Sequence, residues 1–378
     1  AQLPKTGQRS FMRKVWDHYK TANDGLHWLY LQSRLSNPVT HAANLLGTGV
    51  ATAWHFPERY VAEWVNRAFF RDPAGVQRGE VWAMMRSAGQ AATDGLRLLK
   101  DTIRTGQRPF GQSTIEARFD LTAAQFGWDP TSALGKLVDT VGMVMPTRLM
   151  MSADGFFKGF NKRVEIAALS LREGLARGKR GEALGDLVAK LEAKPPTEMR
   201  EAAEAAANLR TLNAPLGPAG QAIMTVRNTT PGAFYVMPFI QTPTNSIKWV
   251  WQRAPVLSAF SAQNMADIAA GGAARDLALS RILLGNAVGA AVAYHVVQGN
   301  IVGAMPVGSN KNLRRDLRAL GPREFSIRVG DEYFGYKRSD PVGGYIGTIA
   351  TGIELYSQLN RDDPQEFDYA DFAAASAL

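Results

Sequence analysis

The chain has 378 residues, 46% of them hydrophobic and 20% charged, with 43 basic against 34 acidic residues and a net charge of +9. That length and apolar content suit two or three domain-sized units with buried cores and exclude an intrinsically disordered chain; the basic excess favours contact with polyanions such as nucleic acid or anionic lipid. No cysteine is present, which excludes disulfides, thiol nucleophiles and cysteine-ligated metals together.

The N-terminus, AQLPKTGQRSFMRKVWDHYK, is basic and amphipathic, without the apolar core of a signal peptide. It starts at Ala1 and opens within a helical pattern, so a longer polypeptide is expected. Helical periodicity broken by Gly and Pro then dominates, with helices expected over 10–35, 38–52, 57–70, 79–105 and 132–143. Asn37-Pro38 is a start signal, Asn as cap and Pro at the first helical position. These elements make a first region, 1–150.

A second region, 151–213, reads as a helical hairpin or three-helix unit. From Asp154 the run GFFKGFNKRVEIAALSLREGLARG carries an apolar stripe of Val164, Ala167, Ala168, Leu171 and Leu175, and amphipathic helices follow over 181–193 and 197–212. The third region, 214–320, is punctuated by Pro215, Pro218, Pro231, Pro238 and Pro243, which rule out one straight helix. Helices are expected there over 244–252 and 256–270.

Within it, Ile282 to Asn310 forms 29 residues without Asp, Glu, Lys or Arg. Residues 282–304 are long enough to cross a bilayer, and Gly285/Gly289 and Gly299/Gly303 have the spacing that lets helices approach closely. Asn286, His295, Gln298 and Asn300 interrupt the apolar run and favour packing against protein, with membrane insertion secondary. Gly289→Leu is therefore expected to damage assembly before solubility.

The last region, 321–378, contains the one strand-like alternation, EFSIRVGDEYFGYKR from Glu324, with Phe325, Ile327 and Val329 leading to a Gly330-Asp331 turn. A helix over 344–359 and an acidic, solvated tail (Asp362, Asp363, Glu366, Asp368, Asp371) complete it. The fold class expected is mainly α: extended multi-helix bundles with one small C-terminal β-hairpin.

Motifs for chemistry are sparse. His18, His27, His41, His55 and His295 show no metal-ligand spacing, so no metal or cofactor is expected. Gly174, Gly178, Lys179 and Arg180 are one residue short of a P-loop, lack its Ser/Thr and follow a helix. No GxSxG elbow occurs, and no Gly-rich turn follows a strand. Lys248, Trp249, Trp251 and Arg253 form an aromatic-basic cluster suited either to a membrane interface or to the edge of a helical bundle.

Four stretches resemble a known family. Leu35-Ser36-Asn37-Pro38-Val39-Thr40-His41-Ala42-Ala43-Asn44 looks like its LSNPxTHxxN helix start, and Arg148-Leu149-Met150 through Asp154, Phe156, Phe157 and Lys158 is similar to its RxLxxxDxFFK segment. Pro238-Phe239-Ile240-Gln241-Thr242-Pro243-Thr244-Asn245 is similar to its PFxxTPxN turn, with Gln241 where a basic residue is common. The fourth match is the hairpin with Gly330 and Asp331 and its exit through Tyr336, Arg338, Asp340 and Pro341.

The family is that of the large internal core or ejection proteins of short-tailed phages and related polyvalent proteins. The resemblance implies a non-enzymatic virion protein that lies inside the capsid. It leaves with the genome and assembles as a homo-oligomer, with other core, ejection or portal proteins, into a conduit across the host envelope. Transient contact with phage DNA and contact with the host membrane follow from that role. Some members carry a lytic transglycosylase domain elsewhere, and no such motif is recognisable here. The motif residues themselves read structurally: Asn37 and Asp154 as caps, Pro38 and Pro243 as helix starts, Gly330 as a turn former. The competing classes are a helical pore-forming protein acting alone and a peptidoglycan-cleaving enzyme.

Overall fold

The computed structural model describes Leu26, Tyr30, residues 32–105, Asp129, and residues 131–143, 146–230, 232–304 and 323–359. Its helices in chain order are α1 (Pro38–Val65), α2 (Glu80–Thr105), α3 (Ala133–Met143), α4 (Pro146–Ala176), α5 (Gly181–Ala193), α6 (Thr197–Arg210), α7 (Pro218–Thr229), α8 (Ala233–Val236), α9 (Gln241–Trp251), α10 (Ala262–Ala270), α11 (Gly272–Val297) and α12 (Val342–Leu359). Strands β1 (Ile301–Val302), β2 (Ser326–Val329) and β3 (Glu332–Gly335) form a three-stranded antiparallel sheet. The chain is mainly α with one small β element, as its periodicity predicts.

Two expected helices, 38–52 and 57–70, are one. α1 runs through Pro57, whose missing N–H frees the carbonyl of Ala53, an exposed position where water can pair it. A π-helical turn, Asn66–Phe70, then ends it at Arg71, which has φ 52°. Asn37 caps α1 as expected, its Oδ1 accepting the Val39 N–H at 2.9 Å. Asp154 is not a cap: α4 already starts at Pro146, and Asp154 lies inside it, 3.0 Å from Lys158 Nζ one turn on. The expected helix 10–35 lies mostly outside the described residues, as does the acidic tail.

The chain divides into two compact units, each gathered from three stretches. The first draws on Ala1–Ala42, Gln90–Phe160 and Pro215–Thr242; the second on Ala43–Gly89, Asn161–Ala214 and Pro243–Leu378. The linear division at 150, 213 and 320 is therefore not the spatial one, because prolines mark bends whereas unit membership follows which side-chain faces pack together. In the first unit, α2 and α4 meet at two glycines. A Cβ at Gly95 would lie 2.7 Å from the Phe156 carbonyl oxygen, and one at Gly159 would lie 2.9 Å from Gly95 Cα. Buried Arg227 donates to the Pro238 carbonyl at 2.9 Å and lies over the Phe234 ring.

The second unit has its apolar core where α9, α11, α12 and the sheet converge: Trp249, Val250, Val292, Val296, Ile301, Tyr336, Tyr345 and Ile349. The Tyr345 hydroxyl donates to the Gly285 carbonyl at 2.5 Å, and the Tyr336 hydroxyl to the Val302 carbonyl at 2.8 Å. The hairpin forms where alternation places it, with Val329 opposite Glu332 across Gly330-Asp331 and φ 64° at Gly330. Its extra strand comes from the charge-free stretch, Ile301 pairing with Ile327. The 282–304 span is thus broken. α11 stops at Val297, and Gly299 with φ 74° turns the chain into β1.

Candidate functional site: a buried charge network and an arginine-lined cleft

The close-packing role expected for Gly285, Gly289 and Gly303 is present, and it operates within the chain. A Cβ at Gly285 would overlap the Arg253 carbonyl oxygen, one at Gly289 would overlap the Pro255 ring, and one at Gly303 would lie 2.6 Å from the Thr351 nitrogen. Gly299 differs: a Cβ there meets nothing, and its left-handed backbone is its contribution. α11 is long and apolar enough to span a membrane, and 33% of its most apolar window is buried.

Half of the aromatic-basic cluster faces inward and half outward. On α9 and its exit, Trp249 and Arg253 are four residues apart and share the buried face, whereas Lys248 and Trp251 are exposed. Trp249 packs edge-on against Trp54 and Tyr345 at 5.8 and 6.3 Å between ring centroids. The Arg253 guanidinium lies 4.2 Å over the Trp249 ring and donates to Glu58 through Nε at 2.6 Å and Nη2 at 3.0 Å.

The other resemblance residues hold the fold. Asn245, 5% exposed, donates to the carbonyls of Leu212 and Ala214 at 2.9 and 2.8 Å, fixing α9 to the end of α6. Pro243 sits in the first turn of α9, where no helical partner is lost, and Pro38 opens α1 likewise. Asp340 Oδ1 caps α12 by accepting the Gly344 N–H at 3.0 Å, and its carbonyl oxygen packs on Gly47. Pro341 is buried, Phe239 half-buried and Asn44 exposed. Phe157 lies edge-on to Phe156, ring centroids 5.3 Å apart. Asp331 pairs with Arg328 at 3.3 Å across the hairpin turn.

Sequence reasoning missed the densest polar feature of the second unit. Positions 55, 58, 59 and 63 of α1 lie along one helical stripe, and the sequence puts His, Glu, Arg and Glu there. Arg59, fully buried, reaches Glu165 of α4 with one nitrogen and Glu80 of α2 with another, the latter at 3.2 Å. Arg210 at the end of α6 also pairs with Glu165, and Arg172 grips Glu80 with two bonds of 2.8 and 2.7 Å. Glu63 accepts the N–H groups of Gly79 at 3.3 Å and Val81 at 2.8 Å where α2 starts. Arg59, Arg172, Arg210 and Arg253 thus face Glu58, Glu63, Glu80 and Glu165, so the network balances its charge.

That balance sets the ionisation of its members. Burial, then the positive charges of Arg210 and Arg59, push the His55 imidazole from 6.5 down to about 3, despite Glu58 beside it. Burial alone would raise the Glu58 carboxyl, but Arg253 and His55 outweigh it and hold it below the usual carboxylate range; Arg59 and Arg210 do the same for Glu165. Glu63 goes the other way, raised chiefly by burial. Such a site stores cohesion and offers no open nucleophile or proton relay. Among the described residues no group of three or more His, Asp or Glu is arranged to hold a metal ion.

These shifts fix how stability depends on pH. The folded state refuses a proton at His55 until about pH 3, whereas the unfolded chain accepts one near 6.5, so stability falls as pH drops through that window, by about 1.4 kcal/mol per unit. Below about 4.5 the depressed Glu58 and Glu165 add losses of the same sign, whereas Glu63, raised in the folded state, contributes the opposite sign as pH falls toward 4.5. His55→Gln should flatten the slope between about pH 6 and 5, read by urea denaturation at each pH. An unchanged slope would show that His55 does not carry it.

Beside the network, the π-helical turn and the loop after it form one wall of a cleft of about 340 Å³, lined by Glu63, Asn66, Arg67, Arg71, Asp72, Pro73, Val76, Gln77, Arg78, Leu175, Ala176 and Arg180. The loop is tied from inside. Asn66, 4% exposed, donates to the carbonyls of Asp72 and Val76, and Asp276, 0% exposed, accepts the Val76 N–H at 2.8 Å. Gln77 adds three bonds to the loop carbonyls of Asp72, Pro73 and Gly75. Outside the cleft, Tyr60, Trp64, Phe69, Phe70 and Trp82 are exposed, Trp64 by 47% and Trp82 by 73%.

No protein-family model matches this chain, and no curated protein and no solved structure is significantly similar to it.

Proposed function

We propose that the chain is a structural, non-catalytic virion protein, an internal core or ejection component of a short-tailed phage. It assembles with copies of itself and with other core, ejection or portal proteins into a conduit for the genome across the host envelope. It acts first in the virion interior and then in the envelope. The observation that carries this reading is the exposed aromatic face around the start of α2. Glu63 ties the end of α1 to Gly79 and Val81, and on the two segments it joins Tyr60, Trp64, Trp82 and Arg86 are all exposed.

Exposed patches of that kind mark interaction surfaces, and Trp, Tyr and Arg are the residues that dominate the binding energy of protein interfaces. The buried ion pairs beside Glu63 tie α1, α2, α4 and the end of α6 together, as suits a building block whose contacts must repeat. The net charge of +9 with acids interspersed is compatible with DNA passing nearby without being held, since a wholly basic lining would bind phosphates tightly.

A second reading is a pore-forming protein acting alone, favoured by the apolar length of α11 and by exposed Leu283, Tyr294 and Val297 along it. Three assays on the purified chain separate the classes. The conduit reading expects ring-shaped particles with a central channel by electron microscopy, no dye release from liposomes by the chain alone, and no clearing on a peptidoglycan zymogram. Liposome leakage without partners would favour the pore-forming reading, and zymogram clearing would replace both with an enzyme.

A further inference from the structure

The arginine-lined cleft has an asymmetry that the conduit reading does not use. Its two acids are engaged from within: Glu63 by the Gly79 and Val81 N–H groups, Asp72 by the Ala74 N–H at 2.9 Å and by Arg275 at 3.3 Å. Its arginines are not. Arg67, Arg71 and Arg78 are exposed and their guanidinium groups make no hydrogen bond or ion pair with any described residue, and the Arg180 guanidinium donates to the adjoining Lys179 carbonyl at 2.9 Å. We propose that the cleft binds a phosphate-bearing anion between these four guanidinium groups.

The chemistry fits in three ways. A guanidinium is a planar fork that matches paired phosphate oxygens, and several around one concavity suit a phosphomonoester or pyrophosphate. At about 340 Å³ the cleft lies at the small end of ligand pockets. The loop between α1 and α2 is already fixed by Asn66, Gln77 and Asp276, so little ordering cost is left for binding. Arg71 adds a sign of its own. It holds φ 52°, a conformation that costs a non-glycine residue free energy and that recurs where a side chain is needed in place.

The same phosphate chemistry has two sources, a free anion or a lipid headgroup with a terminal phosphate. Binding here stands apart from assembly, so failure of the conduit reading would leave it untouched. The test is titration calorimetry of the full chain with sodium pyrophosphate, alongside flotation with vesicles of equal parts phosphatidylcholine and phosphatidic acid. Both are repeated for Arg71→Gly and for the double variant Arg67→Ala/Arg78→Ala.

Saturable binding by the wild type is expected, weakened about tenfold or more in each variant. The melting temperature should hold in the double variant and rise in Arg71→Gly, since glycine adopts that φ without strain. Pyrophosphate binding without flotation identifies a free anion; flotation that pyrophosphate competes away identifies the headgroup. Absence of both forms of binding, or equal binding by wild type and variants, overturns the proposal.

Discussion

Replacing Arg59 with Leu is expected to lower the free energy of unfolding by about 3–5 kcal/mol, the loss typical of removing one partner from a buried ion pair. Arg59 is 0% exposed and bridges two carboxylates from different helices, Glu80 and Glu165. Without it, Glu80 keeps Arg172 and the Gln77 N–H, while Glu165 keeps Arg210 as its one ion pair among the described residues. The Glu165 side therefore suffers more. Arg59→Lys should fall between, because one ammonium retains the charge but loses the fork that reaches both partners. Adding Glu165→Leu to Arg59→Leu should restore part of the loss, though incompletely, since Arg210 then loses its carboxylate. Urea denaturation of the four proteins measures this, and a loss under about 1 kcal/mol for Arg59→Leu would mean the network contributes little.

Gly285→Leu is the second large effect. The obstacle is backbone, since an added Cβ overlaps the carbonyl oxygen of Arg253 and lies 2.9 Å from its carbonyl carbon. Overpacked cores lose about 1–3 kcal/mol when side chains alone must shift. Here α11 itself must move off the end of α9, straining the Tyr345 bond to the Gly285 carbonyl and the Arg253 bonds to Glu58. A loss of about 3 kcal/mol or more is expected, and even Gly285→Ala should destabilise. Gly185 in α5 supplies the contrast: a Cβ there meets nothing, so Gly185→Ala should stabilise by about 0.5–1 kcal/mol through helix propensity. Thermal melts of the two alanine variants should move in opposite directions. A common sign would remove the close-packing explanation.

Much of the helical layout is legible in the sequence because it is local. The hairpin follows from the alternation of Phe325, Ile327 and Val329 up to Gly330-Asp331, and the close contacts of α11 follow from Gly285 and Gly289 one turn apart. β1 was hidden because two residues, Ile301 and Val302, are too short for any periodic signal. Pro57 misled because tertiary packing of Glu58, Arg59, Ala62 and Val65 holds α1 together across it.

The charge network was illegible for a different reason. Glu58 meets Arg253 across 195 positions and Arg59 meets Glu165 across 106, and charged residues on a helix are ordinarily solvated. The one available signal is the stripe itself, ionisable side chains at 55, 58, 59 and 63 on a helix whose other buried positions are small or apolar. Trp249 and Arg253 are neighbours of Lys248 and Trp251 in sequence, although helical geometry puts the two pairs on different faces. The cleft arginines lie in two segments far apart in sequence, the π-helical turn with its following loop and the α4–α5 connection, and their convergence is tertiary.

Self-assembly through the exposed aromatic residues around the start of α2 is read by native mass spectrometry of the purified protein beside Trp64→Ser/Trp82→Ser. Both rings are exposed, so the double variant should fold normally. One defined multimer is expected for the wild type and monomer for the variant. A wild type that stays monomeric at every concentration, or a variant that assembles unchanged, would contradict it.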